Sequence, residues 1–200
     1  MLIVVTIIII LYFLIRFSGN NTAIKLRKEK EAFLQREQQA NVIRKKDLSE
    51  LNYIKIPIAS LPFVDTEDPE LKSVQNTIKE LADKKILNLT GFSNTDLKME
   101  YGTANITFLS QCDGNFTLLA KSLYKWAVWL HDHDMEEEAL SVLEFGIQCN
   151  TDISKHYHLL AEYYLKNNQM DKIETLIKAA ENLKSLSKDT IIKYLKEIQA

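Results

Sequence analysis

The chain has 200 residues, 46 % of them apolar, with 25 basic and 27 acidic side chains and a net charge of -2. That near-neutrality excludes a global field recruiting nucleic acid, and two cysteines, Cys112 and Cys149, exclude a disulfide scaffold and lack zinc-site spacing. Five glycines and three prolines argue against collagenous, low-complexity and turn-rich all-β chains, which leaves a mostly helical one.

Residues 1–17, MLIVVTIIIILYFLIRF, carry no charge before Arg16. An apolar helix of about 16 residues spans roughly 24 Å, short against a hydrocarbon core of about 30 Å, but Arg16 can snorkel to the headgroups. A cleaved signal peptide would need a basic start and a small-x-small cleavage site. Neither is present, so the expectation is an uncleaved transmembrane anchor. Basic residues lie on its C-terminal side alone, which orients the amino terminus outside and the remainder in the cytoplasm of the cell. The acceptor-like triplets at Asn88, Asn105 and Asn115 are then chance occurrences. The abundance of Ile, Lys and Asn has the flavour of a low-GC bacterial sequence.

Residues 18–50 read as a basic juxtamembrane helix and linker, with eight basic and three acidic groups over 22–46. Lys25, Arg27, Lys28 and Lys30 can meet anionic lipid, but a topology signal on a solvated helix is the favoured account of them. Residues 51–68 hold Pro57 and Pro62 among Tyr53, Ile54, Ile56, Ile58, Leu61 and Phe63, the pattern of an extended apolar strap lying on a helical domain.

From residue 69 to 200 the chain reads as helices. Asp68 as N-cap with Pro69 at the first position opens one that should end near Leu87. Ser93 and Asp96 form a capping box, and the stripe Leu97, Tyr101, Ala104, Phe108 and Cys112 predicts a single helix through Gly102, stopped at Asp113-Gly114. Residues 120–153 then align without a gap on 154–187 at an offset of 34. Leu123 meets Tyr157, Trp126 meets Leu160, Ala127 meets Ala161 and Leu130 meets Tyr164. In the second half Ala139 meets Ile173, Leu143 meets Ile177 and Gly146 meets Ala180. Small residues at Ala127 and Ala161 let paired helices approach while the large ones interlock. Ser187 caps a last helix over 188–199.

This period and the pattern of large and small positions resemble the tetratricopeptide repeat family over about 68 residues. Ile173, Thr151 and Ser185 depart from its usual small residue and prolines. The resemblance implies an all-α fold, a short solenoid of antiparallel helix pairs behind the transmembrane helix, closed by the last helix, with 69–112 as an atypical third pair. It also implies a peptide-binding concave face made by the first helix of each unit. Mapped here, that face comprises Lys121, Tyr124, Val128, His131 and Asp132, then Lys155, His158, Glu162, Leu165 and Lys166. Tyr124, Val128, His158 and Glu162 break the Lys/Asn set with which some members hold a terminal carboxylate.

No phosphate loop, nucleophile elbow or His-Glu-x-x-His occurs, so no enzyme activity and no cofactor are expected. The alternative from another class is a metal-binding or enzymatic domain using His131, His133, His156 and His158; a structural subunit of a larger membrane complex is a third. Asp132, Asp134, Glu136, Glu137, Glu138 and Glu144 form an acidic stretch without an intervening Lys or Arg. Helix N-terminal charge explains much of it, and docking of a basic partner is the functional reading. The leading expectation is a single-pass, membrane-anchored module acting through a protein partner.

Overall fold

The computed structural model describes residues 22–199 and gives residues 2–21 only as the start of the first helix. Eight α-helices and no strand occur among the described residues: α1 (Leu2–Asn41), α2 (Pro69–Ala82), α3 (Asn94–Tyr101), α4 (Ile106–Asp132), α5 (Glu136–Gln148), α6 (Ser154–Lys166), α7 (Met170–Glu181) and α8 (Lys188–Gln199). Among these residues no helix is long and apolar enough to cross a membrane, and the anchor expected at 1–17 lies outside them. The chain divides into two compact units, Met1–Asp47 with Ser93–Ile106, and Leu48–Phe92 with Thr107–Ala200.

In the first unit α1 and α3 are joined by polar contacts. Arg36 pairs with Asp96, Lys98 pairs with Glu37, and Thr95 donates to Glu37 at 2.6 Å. Ser93 and Asp96 form the reciprocal capping box at the start of α3. The helix expected to run through Gly102 instead ends at Tyr101. Gly102 has φ +86, a left-handed value that favours glycine, and its missing Cβ makes room for the Arg44 backbone. The Lys46 amide donates to the Tyr101 carbonyl at 3.0 Å, so the segment after α1 closes the end of α3.

The second corrected boundary lies within the other unit. Helix α4 continues through Asp113-Gly114 to Asp132. Asp113 does not turn the chain; its carboxylate accepts the Leu89 amide at 3.1 Å. The core face of α4 runs through Leu109, Cys112, Phe116 and Leu119, whereas Phe108, placed in the stripe by its spacing, is 38 % exposed. A third difference is at α2, which Asp68 caps as expected but which stops at Ala82. Ile86 and Leu87 are buried in a non-helical segment, and the Ile86 carbonyl accepts the Ile54 amide at 3.0 Å.

Residues 51–68 are non-helical and apolar side chains from them enter the main core. Ile56 and Leu61 are buried, and the Phe63 ring lies 4.7 Å from that of Trp126. Buried Gln75 of α2 holds this segment with both ends of its amide: Nε2 donates to the Val64 carbonyl and Oε1 accepts the Val64 amide, each at 3.1 Å.

Every residue named in the seven pairs 34 positions apart is buried, from Leu123 and Tyr157 through Trp126 and Leu160 to Gly146 and Ala180. The turns between α4 and α5 and between α6 and α7 also match. Asp134 and Asn168 take φ +58 and +54, left-handed values that Asp and Asn tolerate. The Met135 amide donates to the Leu130 carbonyl at 2.9 Å, and the Gln169 amide to the Tyr164 carbonyl at 2.8 Å. Helix α6 packs on α5, α7 and α8, and α8 packs on α7. The Tyr157 hydroxyl donates to the Thr151 carbonyl at 3.1 Å inside this core, fixing the chain just before α6.

Candidate functional site

The residues singled out on α4 and α6 do not all meet. His131, Glu162 and Lys166 line a single cavity of about 170 Å³ together with Glu136, Leu159 and Tyr163. Lys121, Val128 and Lys155 lie outside its lining: the two lysines are exposed and Val128 is half-buried. Tyr124 is half-buried with its ring 5.7 Å from that of His156. His158 stacks on Tyr194 of α8 with centroids 3.7 Å apart, and Asp132 and Leu165 are exposed.

Helix geometry explains the convergence. On α6, Leu159, Glu162, Tyr163 and Lys166 recur at steps of three and four, so they share one face. His131 stands near the end of α4, and Glu136 opens α5 just beyond the turn. The Tyr163 hydroxyl and His131 Nδ1 are 2.7 Å apart, and Lys166 forms an ion pair with Glu136. One helix along, the Tyr194 hydroxyl donates to Glu162 at 3.2 Å. Tyr163 and Tyr194 escaped the sequence reading because Tyr163 sits among apolar neighbours and Tyr194 comes from the last helix; their signal was the helical face alone.

The electrostatics of this region point one way. Burial, then Glu136 and Asp132, push the Tyr163 phenol up to about 12. Burial, then Asp132 and Glu162, raise Tyr124, and burial with Glu162 raises Tyr194. For these three hydroxyls, on three helices, burial is the largest cause and the nearby carboxylates act in the same direction. His158 is lowered by burial, against the opposing pull of Glu162.

The four histidines go to four different surroundings. His131 meets Tyr163; His133 stacks on Trp129 at 3.7 Å, with Nδ1 2.7 Å from the Trp129 carbonyl; His158 stacks on Tyr194. His156 is fully buried, neither ring nitrogen has a hydrogen-bond partner, and burial pushes it down to about 4. Among the described residues no three His, Cys, Asp or Glu side chains are grouped to hold a metal ion.

The acidic stretch after His131 is partly neutralised by groups distant in sequence. Lys166 pairs with Glu136, and Lys172 pairs with Glu144 at 3.2 Å while Tyr164 donates to the same carboxylate at 2.9 Å. On α1, Lys25 and Arg27 pair with Glu29 and Glu31, one turn on, and Lys28 and Lys30 are exposed.

Two further cavities occur in this unit. One of about 280 Å³ is walled by Ile147, Leu160, Leu176 and Ala179, with Tyr164 and Lys172 at its edge. The other, about 210 Å³, lies beside Asn88, whose amide is engaged in capping α5 through the Cys149 and Asn150 carbonyls. No protein-family model, curated protein or solved structure matches this chain.

Proposed function

We propose that this chain is a membrane-anchored protein-interaction module. Residues 1–17 serve as a single-pass anchor with the amino terminus outside. Lys25, Arg27, Lys28 and Lys30 face anionic headgroups, and the helices from α4 to α8 form a short tetratricopeptide-like stack in the cytoplasm. The face made by the last turns of α4 and by α6 holds a segment of a protein partner, and the anchor raises the local concentration of the module for partners at the membrane. The protein acts by binding, without a catalytic step or a cofactor.

The observation that carries this reading is the equivalence at 34 residues: seven pairs of buried positions and two turns with a left-handed residue at the equivalent place, Asp134 and Asn168, and the same amide-to-carbonyl closure. In this reading the first helices of the two units lie side by side; supporting it, the cavity lined by His131, Glu162 and Lys166 draws its walls from α4, the start of α5 and α6.

The test is in-cell crosslinking and affinity capture with the full chain beside a Tyr124→Ala/His158→Glu variant. A discrete partner retained by the parent and lost by the variant is the expected result. Equal capture by both, or no partner, overturns the reading. Alkaline extraction checks the anchor: the chain stays with the membrane pellet, and release into the supernatant rules the anchor out.

A further inference from the structure

The cavity between α4, the start of α5 and α6 is walled by rings and carboxylates and holds one lysine. Lys166 is already paired with Glu136. Glu162 accepts a hydrogen bond from Tyr194, and among the described residues it has no Lys or Arg partner; the same holds for exposed Asp132. Counting full charges, Glu136 and Glu162 against Lys166 leave the lining of this partly apolar hollow with an excess of one negative charge, and Asp132, outside the lining, acts on Tyr163 in the same sense. His131 and Tyr163 meet edge to face at 5.6 Å, and both rings belong to the lining, Tyr163 buried and His131 exposed.

Such a hollow suits a cation on an apolar stem. A Lys or Arg side chain packs its methylenes on Leu159 and the rings, presents its charge to a carboxylate, and gains from the ring faces as well. A carboxylate ligand would meet Asp132, Glu136 and Glu162, the carboxylates that add to burial in raising the phenols of Tyr124, Tyr163 and Tyr194.

We infer that this cavity takes one basic side chain, Lys or Arg, presented by an extended segment of a protein partner, with its cation against the Glu162 carboxylate and its stem along Leu159, His131 and Tyr163. The inference rests on the interaction-module reading above and specifies the chemistry of the partner. It also assigns Lys166 a part: by holding Glu136 it leaves Glu162 as the open carboxylate.

The test uses the full chain in detergent micelles with carbon-13 in the tyrosine rings. The probes are three blocked pentapeptides, Gly-Gly-X-Gly-Gly, with X as Arg, norleucine or Glu. The Arg peptide shifts the Tyr163 and Tyr194 ring signals saturably, and the other two do not. Glu162→Gln weakens the Arg peptide about tenfold, the size of a lost hydrogen bond to a charged group, and Glu174→Gln on exposed α7 surface leaves it unchanged. Equal response to norleucine, preference for Glu, no saturable shift with Arg, or full affinity in Glu162→Gln each overturns the inference. The two readings separate cleanly. A partner captured through this face with no Arg response sinks only the basic-side-chain inference. An Arg response dependent on Glu162 with no captured partner leaves the pocket standing and removes the adaptor reading.

Discussion

The ring of His156 at the start of α6 fills the space that a side chain at position 146 of α5 would need: a Cβ built on Gly146 overlaps its Nε2 atom. Neither ring nitrogen has a hydrogen-bond partner, so this contact is one of shape, and it sets how closely α5 and α6 approach.

Gly146→Ala should therefore destabilise the helical unit by about 1–3 kcal/mol, the cost of forcing extra volume into a packed core. Gly114 provides the control. It lies inside α4 with nothing within 4 Å of an added Cβ, so Gly114→Ala should be stabilising by up to about 1 kcal/mol through helix propensity. Urea unfolding of both variants checks the pair; a neutral Gly146→Ala would show that the helices separate at little cost.

Protonation of His156 should couple stability to pH. Its folded value of about 4 lies below the ordinary 6.5, so at higher pH the ring is neutral in both folded and unfolded chains and the full stability is present. As pH falls from 6.5 towards 4 the unfolded chain takes up a proton that the folded chain refuses. Stability is lost across that window, by roughly 3 kcal/mol in all, and no further loss arises from this group below it. His156→Leu should flatten the urea midpoint between these pH values, and a slope identical to that of the parent would show that other groups carry it.

Gln75 should matter more than a surface glutamine. Replacing it with Leu removes two hydrogen bonds and leaves the Val64 amide and carbonyl to find water, at a cost of about 1–3 kcal/mol. Amide exchange at Val64 should accelerate ahead of exchange in α6. Unchanged protection at Val64 would mean that Phe63 packing on Trp126 suffices to hold the segment.

Both thiols should be inert in the folded chain. Burial raises Cys112 and pushes Cys149 up to about 12, and both side chains are inaccessible. The thiolate is the reactive form, so an aromatic disulfide reagent should label neither until urea unfolds the chain. Rapid labelling of either under native conditions would contradict this.

The sequence by itself determined what depends on a few neighbouring residues. Asp68 with Pro69 and Ser93 with Asp96 set helix starts because a cap needs only its own first turn. The buried positions 34 apart were legible because burial repeats with the helical period, whatever the partner helix turns out to be. Tertiary structure decided the rest. The stripe through Gly102 looked continuous, yet the Arg44 backbone comes back against that glycine and ends the helix. Asp113-Gly114 looked like a stop, yet the Asp113 carboxylate was required by Leu89 instead. The histidines close in sequence scattered to Tyr163, Trp129, Gly146 and Tyr194, because neighbours on a helix point to different faces. The acidic stretch acquired Lys166 and Lys172 only through folding. Contacts across some thirty residues depend on where whole helices dock, and no local pattern of charge or period carries that information.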